Sequence, residues 1–243
     1  MAKFKIKKEK IGRVIHMLFK VFKEESHRDD FLNGRLYMNR LKFFKKLEDK
    51  EINSRNDSDE AVSGWYQPNK GSYLKVNEHI IPSEDINGPI KVGYDKFDDL
   101  NVFCLSVLYS NEFEQITEGN LNAYRNSLLL NNKMLELGDY CVILTNPSTF
   151  IENVKSSIQR NKLYYRMGLV EYFDPNIFHG TFSGIDAVFR KQIQFSYQKE
   201  YRIVIDSKTL GDNPYILETG NIRDICLTVR TNKLNSKIEV KLS

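Results

Sequence analysis

A glutamine and a glutamate two residues apart are the side chains of this sequence best suited to chemistry. Gln198 and Glu200 lead into the apolar run of residues 201–205. On an extended chain, residues two apart point to the same side, so this spacing places both polar groups on one face of a strand. An unpaired carboxylate there would be costly, so Glu200 needs a partner such as Arg202, a distant basic residue or a ligand. We interpret Glu200 as a catalytic carboxylate on a rigid strand, the alternative being an ion pair on an edge strand.

A second polar cluster lies in a turn-rich stretch that spans residues 51–71. Arg55, Asp57 and Glu60 place one cation and two carboxylates within six residues. Carboxylates at this density bind a metal ion or orient the hydroxyl of a ligand. The alternative interpretation is a solvated turn, because Asn, Asp and Ser favour turns for local hydrogen-bonding reasons.

Several familiar chemistries lack their sequence signatures. The chain has no GxxxxGKS/T loop and no GxGxxG loop, so the usual backbone cradles for phosphates are missing. The four histidines are scattered, the three cysteines form no CxxC pair, and we expect no metal. Cys104, Cys141 and Cys226 lie in apolar runs, where a thiol packs as a small hydrophobe and is not activated as a nucleophile.

Bulk composition narrows the class of protein. The 243 residues carry 36 basic and 32 acidic side chains, a net charge of +4 that is too mild to indicate a dedicated nucleic-acid binder. The sequence starts without a hydrophobic leader, has an odd number of cysteines and contains no apolar run long enough to span a bilayer. We therefore expect a cytoplasmic protein without a membrane association.

Hydrophobic patterning predicts a single α+β domain over residues 1–243, with a mixed, mostly antiparallel sheet and flanking helices. Residues 82–99 are charged and turn-rich and are interpreted as an insertion. Short apolar runs predict strands at 14–22, 35–39, 102–108, 140–144, 163–172, 201–205, 215–217, 225–229 and 238–242. Helices are predicted at 28–32, 41–48, 120–137, 185–192 and after Asn146-Pro147.

The order of these pieces resembles a family of bacterial and phage proteins defined by a domain of unknown function. The resemblance spans most of the chain in short motifs: Leu18-Phe19-Lys20-Val21, Leu36-Tyr37-Met38-Asn39, Arg55-x-Asp57-x-x-Glu60, Cys104-Leu105-Ser106, and Lys191 followed by Gln198-Lys199-Glu200-Tyr201-Arg202. The sequence departs from the family pattern at Val21, which replaces an aromatic residue, and at Gln198, which replaces an acid.

The layout is also distantly similar to ADP-ribosyltransferases. That similarity implies NAD as the substrate, with Glu200 as the catalytic acid and Gln198 on the acceptor side. It further implies that Ser106 supports the nicotinamide pocket and that Tyr37 stacks on nicotinamide. Either His16 or Lys20 would contact the adenosine-side ribose or phosphate. The implied setting is conflict between phage and bacterium, as a toxin, a defence protein or an anti-defence protein, with a protein or nucleic-acid acceptor.

Two other functions stay open at this point. The chain could be a non-catalytic, phage-encoded inhibitor that binds a host defence protein, with some of its 28 tyrosine and phenylalanine residues as interface anchors. It could also be a Mg²⁺-dependent nuclease in which Asp57, Glu60 and Glu200 hold the ion. The expected Asp…Glu-x-Lys arrangement of such nucleases is missing, because Tyr201 and Arg202 follow Glu200.

Overall fold

The computed structural model describes residues 2–6, 15–46, 57–109, 113, 116–209 and 211–242, with only the backbone described for residues 2–6 and 237–242. The strands in these ranges are β1 (Ala2–Ile6), β2 (Ile15–Phe22), β3 (Arg35–Arg40), β4 (Gly64–Tyr66), β5 (Leu74–Val76), β6 (His79–Ile81), β7 (Ile90–Val92), β8 (Asn101–Tyr109), β9 (Tyr140–Leu144), β10 (Tyr164–Leu169), β11 (Glu171–Phe173), β12 (Gly180–Thr181), β13 (Arg190–Gln192), β14 (Glu200–Asp206), β15 (Tyr215–Glu218), β16 (Cys226–Arg230) and β17 (Ile238–Leu242). The α-helices are α1 (Glu25–Leu32), α2 (Leu41–Lys46), α3 (Leu121–Leu128), α4 (Asn132–Leu135) and α5 (Pro147–Arg160).

One large sheet organises the molecule and confirms the predicted α+β class. Its strands run in the order β10-β14-β8-β2-β9-β16, and β3 joins it through β8 and carries β15 on its other side. All of these pairings are antiparallel. The strands β14 and β8 pair directly, with Glu200 opposite Ser106 and Arg202 opposite Cys104. Because β14 has a neighbour on each side, it is an interior strand of the sheet.

Apolar clusters cover both faces of this sheet. On one face, α1 and α5 pack against Leu18, Phe103 and Ile203 through buried side chains such as Phe31 and Val154. On the opposite face, α3 and α4 cover residues of β2 and β9, and a 3-10 turn at Gly184–Phe189 covers residues of β8 and β14. Alternation along each strand assigns its side chains to one face or the other.

Some predicted element boundaries differ from those in the structure. The single helix predicted over residues 120–137 is two helices, because Asn131 caps α4 by accepting a hydrogen bond from the backbone N–H of Lys133. The helix predicted over residues 185–192 is the 3-10 turn followed by β13. None of the helices in the described ranges has both the length and the apolar character that a bilayer span requires.

The predicted polar loop and insertion contain short elements of their own. Strand β4 of the loop and β7 of the insertion form a small three-stranded sheet with β12, and the segment between loop and insertion folds into the β5–β6 hairpin, whose side chains are exposed. Two 3-10 turns, Ser83–Asp85 and Asp95–Phe97, lie within residues 82–99.

Candidate functional site

The large sheet splits along one edge of β8, and the split opens a pocket. Near its carboxyl end, β8 pairs with β2, where Phe19 lies opposite Ser106. Near its amino end the same edge pairs with β3, where Asn39 lies opposite Val102. Between these pairings, residues 103–105 have no strand partner on this edge within the described chain. In this gap a side chain, not a strand, contacts the edge of β8, because the Cys104 carbonyl accepts a hydrogen bond from Lys20.

The pocket at this split has a volume of about 510 Å³, a size typical of small-molecule sites. Its walls come from both faces of the sheet. Tyr37, Ser106 and Glu200 line it from one face, and Lys20 lines it from the other. Four residues that the sequence assigned to one site therefore meet, although Lys20 reaches the site only because the sheet divides there.

Lys20 lies in the gap between the strands. Its ammonium donates a hydrogen bond of 2.6 Å to the backbone carbonyl of Cys104 and sits 4.3 Å from the centre of the Phe103 ring. The cation thus occupies an unpaired section of the β8 edge and faces the pocket. His16, the alternative to Lys20, lies at a register shift of β2. Its Nε2 is 2.5 Å from the Tyr124 hydroxyl of α3, and it is not among the described residues that line the pocket.

Tyr37 stands at the mouth of the pocket. It lies on the outward side of β3 and is 56% exposed, so its ring is available for stacking. Phe43 of α2 also lines the pocket and is partly exposed to solvent. Two aromatic rings at the entrance suit a flat heterocycle.

Glu200 belongs to a buried ion-pair network of four residues, Glu60, Lys191, Glu200 and Arg202. Arg202 donates through Nε to Glu200 Oε1 and through Nη1 to Glu60 Oε1, the latter at 2.6 Å. Lys191 Nζ donates to Glu200 Oε2 at 3.2 Å and lies 3.6 Å from Glu60 Oε2. A fifth contact, from Arg202 to the carbonyl of Val188, joins the network to the 3-10 turn.

The network keeps Glu200 ionised. Burial alone would raise the pKa of this carboxyl, but the charges of Arg202 and Lys191 outweigh burial and hold the pKa well below its ordinary value. Burial alone would likewise lower the pKa of both cations, and the carboxylates of Glu200 and Glu60 hold it above its ordinary value. The backbone N–H of Glu200 donates to the Tyr172 hydroxyl at 3.0 Å, which fixes the start of the strand.

Gln198 also contacts this network, but its position does not follow from strand alternation as predicted. It ends a 3-10 turn at Ile193–Gln198, and Lys199 has a φ of 43°, so the chain is not extended between Gln198 and Glu200. The two side chains nevertheless meet at Lys191, whose Nζ donates to Gln198 Oε1 at 2.9 Å. The two side chains do lie close together, as predicted, but strand alternation is not what brings them together.

The acidic loop is only partly at the site. Arg55 lies outside the described residues. Glu60 lines the pocket as a member of the network, whereas Asp57 is buried behind it and does not line the described walls. Asp57 Oδ1 accepts a hydrogen bond of 3.1 Å from the backbone N–H of Asp59. Burial, followed by the charge of Glu60, raises the pKa of Asp57 to about 7.

Two of the three carboxylates named for a Mg²⁺ site are directed toward cations. Glu60 and Glu200 each contact Arg202 and Lys191. Among the residues that the structure describes, no three His, Cys, Asp or Glu side chains are grouped so as to hold a metal ion. The cysteines lie in β8, β9 and β16, and burial raises the pKa of each thiol to about 12.

Sequence reasoning missed two members of the site. Lys191 entered only as part of a basic-aromatic segment, and Tyr172 entered only as the last residue of a predicted strand. Lys191 is 5% exposed although it is a lysine, and a lone lysine between Arg190 and Gln192 carries no local sign of burial.

Comparisons of the chain with protein-family models, with curated proteins and with solved structures give no match.

Proposed function

We propose that the pocket binds NAD and that the protein cleaves the nicotinamide–ribose bond, transferring ADP-ribose to an acceptor. The observation that carries this proposal is the Glu200 carboxylate, ion-paired with Lys191 and Arg202 on an interior strand at the wall of a pocket of about 510 Å³. The proposed setting, conflict between phage and bacterium, depends on the sequence resemblance.

The proposed chemistry requires a fixed negative charge beside a carbon that becomes positive. Breaking the nicotinamide–ribose bond gives the ribose oxocarbenium character, and a carboxylate held in place stabilises that charge without reorganising. Each Glu200 oxygen accepts a hydrogen bond from the network, the Cys104 thiol donates a further one to this carboxylate, and a carboxylate can accept about four hydrogen bonds in all. A ribose hydroxyl can therefore donate to Glu200 without breaking the ion pairs, as sugar hydroxyls do at other carboxylate sites.

The remaining pocket residues supply binding. Tyr37 and Phe43 offer ring faces at the mouth, where the nicotinamide or adenine ring would stack. Lys20 offers a cation for the diphosphate. Ser106, directly across from Glu200, offers a hydroxyl beside the reacting bond.

In the first experiment, liquid chromatography measures the nicotinamide that the purified protein releases from NAD. Glu200→Gln should lower the rate by about 100-fold or more, because one charge-stabilising group is lost. The same change leaves Arg202 and Lys191 less compensated in a buried place and costs as much as about 3–5 kcal/mol of stability. Rates are therefore expressed per folded molecule, with folding measured by circular dichroism.

A matched pair of tyrosine variants avoids that folding cost. Tyr37→Ala removes an exposed ring that lines the pocket, and Tyr73→Ala removes a ring that is 62% exposed and lies elsewhere. NAD should raise the melting temperature of wild type and of Tyr73→Ala, and should do so less for Tyr37→Ala. If NAD neither stabilises wild type nor is consumed by it, the proposal is wrong.

A second candidate is a non-catalytic binding protein, such as an inhibitor of a host defence protein. The observation that favours it is the pairing of both Glu200 oxygens with buried cations, which is also how a purely structural ion pair is built. In that case Glu200→Gln changes stability alone, and NAD leaves the melting temperature unchanged.

A further inference from the structure

Lys191 is a buried lysine that joins the two polar side chains of the proposed reaction. It lies on β13, which pairs with β11 and is outside the large sheet. Its Nζ is 2.9 Å from Gln198 Oε1 and 3.2 Å from Glu200 Oε2. One ammonium group therefore connects an amide from a 3-10 turn with a carboxylate from the neighbouring strand.

This contact determines which end of the Gln198 amide faces Lys191. An ammonium group has three donors and no acceptor, so only the carbonyl oxygen of an amide can face it. The amide nitrogen of Gln198 must then lie on the side away from Lys191. A terminal amide without such a partner can turn by half a rotation and exchange a donor for an acceptor. Lys191 thereby sets the polarity of the Gln198 side chain as well as its position.

The backbone does not align the two side chains by itself. Lys199, between them, has a φ of 43°, in the left-handed region, so strand alternation does not govern where Gln198 points. What the two side chains share is the ammonium of Lys191. If an apolar side chain replaced Lys191, Glu200 would keep its contact with Arg202, but the Gln198 amide would lose its contact with the ammonium group.

We propose that Lys191 is a positioning residue, which holds the Gln198 amide and the Glu200 carboxylate in one fixed arrangement toward the bound ligand. This inference rests on the proposed NAD reaction for its functional meaning. Lys191 acts through these two residues and not on the substrate itself. It therefore affects the rate of the chemical step more than the binding of NAD.

Two variants test the assignment. Lys191→Met removes the charge and all donors, and is expected to lower kcat by roughly 100-fold, as a misplaced reacting group does. Its KM for NAD should stay within about threefold of wild type, because the stacking rings and Lys20 are unchanged. Lys191→Arg keeps the charge, and so the fold, but offers planar donors, and is expected to lower kcat by about tenfold. If a folded Lys191→Arg or Lys191→Met variant has the same kcat as wild type, the inference is wrong.

A crystal structure of either variant separates this inference from the proposed function. The Gln198 amide and the Glu200 carboxylate should move by more than about 0.5 Å, the tolerance of a positioned site. If wild type does not consume NAD, the proposed reaction fails, and the displacement still decides whether Lys191 positions these groups. If wild type consumes NAD and both groups stay in place in the variant, Lys191 is not a positioning residue and the proposed reaction stands.

Discussion

Asp57 should make the protein less stable as pH rises from about 4 to about 7. Its Oδ1 accepts a hydrogen bond from the Asp59 backbone, whereas its Oδ2 is buried and has no hydrogen-bond partner among the described residues. Burial, and then the charge of Glu60, raise its pKa from 3.8 to about 7. A raised pKa means that the folded state holds the proton more tightly than the unfolded state does.

The size of the effect follows from this shift. A rise of about three pKa units corresponds to about 4 kcal/mol, at about 1.4 kcal/mol per unit. This contribution to stability is fully present below the unfolded pKa of 3.8 and is lost as pH rises to about 7. Asp57→Asn keeps the shape of the side chain and removes the titration. Relative to wild type, this variant should therefore gain up to about 4 kcal/mol between acid and neutral pH.

Urea denaturation of both proteins at several pH values between about 3.5 and 7.5 measures this difference. Comparing the two proteins at each pH cancels the titration of the other groups. The control is Asp224→Asn at an exposed carboxylate, which should stay within about 0.5 kcal/mol of wild type throughout. A difference between Asp57→Asn and wild type that is flat across this range, or that falls as pH rises, refutes the reasoning.

Two further predictions concern the network and its neighbouring thiol. Arg202→Met should destabilise the protein by about 3–5 kcal/mol in urea denaturation, because it leaves Glu60 and Glu200 buried with only Lys191 as a cation. A loss below about 1 kcal/mol would show that the ion-pair network does not stabilise the folded protein as a buried network should. Cys104, whose thiol pKa burial and Glu200 raise to about 12, should react with a thiol-disulfide reagent at about pH 8 far more slowly than in urea. Equal rates in the folded and unfolded protein would contradict this environment.

Local patterns in the sequence were enough to predict most of the strands of the large sheet. The apolar runs that became β2, β8, β9 and β14 lie within a residue or two of their predicted positions. Burial of a strand on both faces leaves a continuous apolar run, which the sequence records directly. The sequence likewise indicated that Glu200 has a charged partner, because an isolated carboxylate among apolar neighbours is costly in any fold.

The partners themselves depend on contacts between distant parts of the chain. Arg202 and Glu60 are 142 residues apart in sequence, and no local pattern indicates that the loop carrying Glu60 covers β14. Lys191 is buried because β13 packs beside the start of β14, and its side chain alone would predict exposure.

The division of β8 between β2 and β3 is the clearest case of a feature that only the tertiary structure decided. Glu200 lies opposite Ser106, and Ser106 lies opposite Phe19, so this register of the strands places Glu200 and Lys20 on opposite faces of the sheet. They line one pocket because two strands share an edge of β8 and leave residues 103–105 open between them. Strand periodicity specifies the faces of a sheet, whereas the choice of neighbours along an edge depends on how the whole chain is connected.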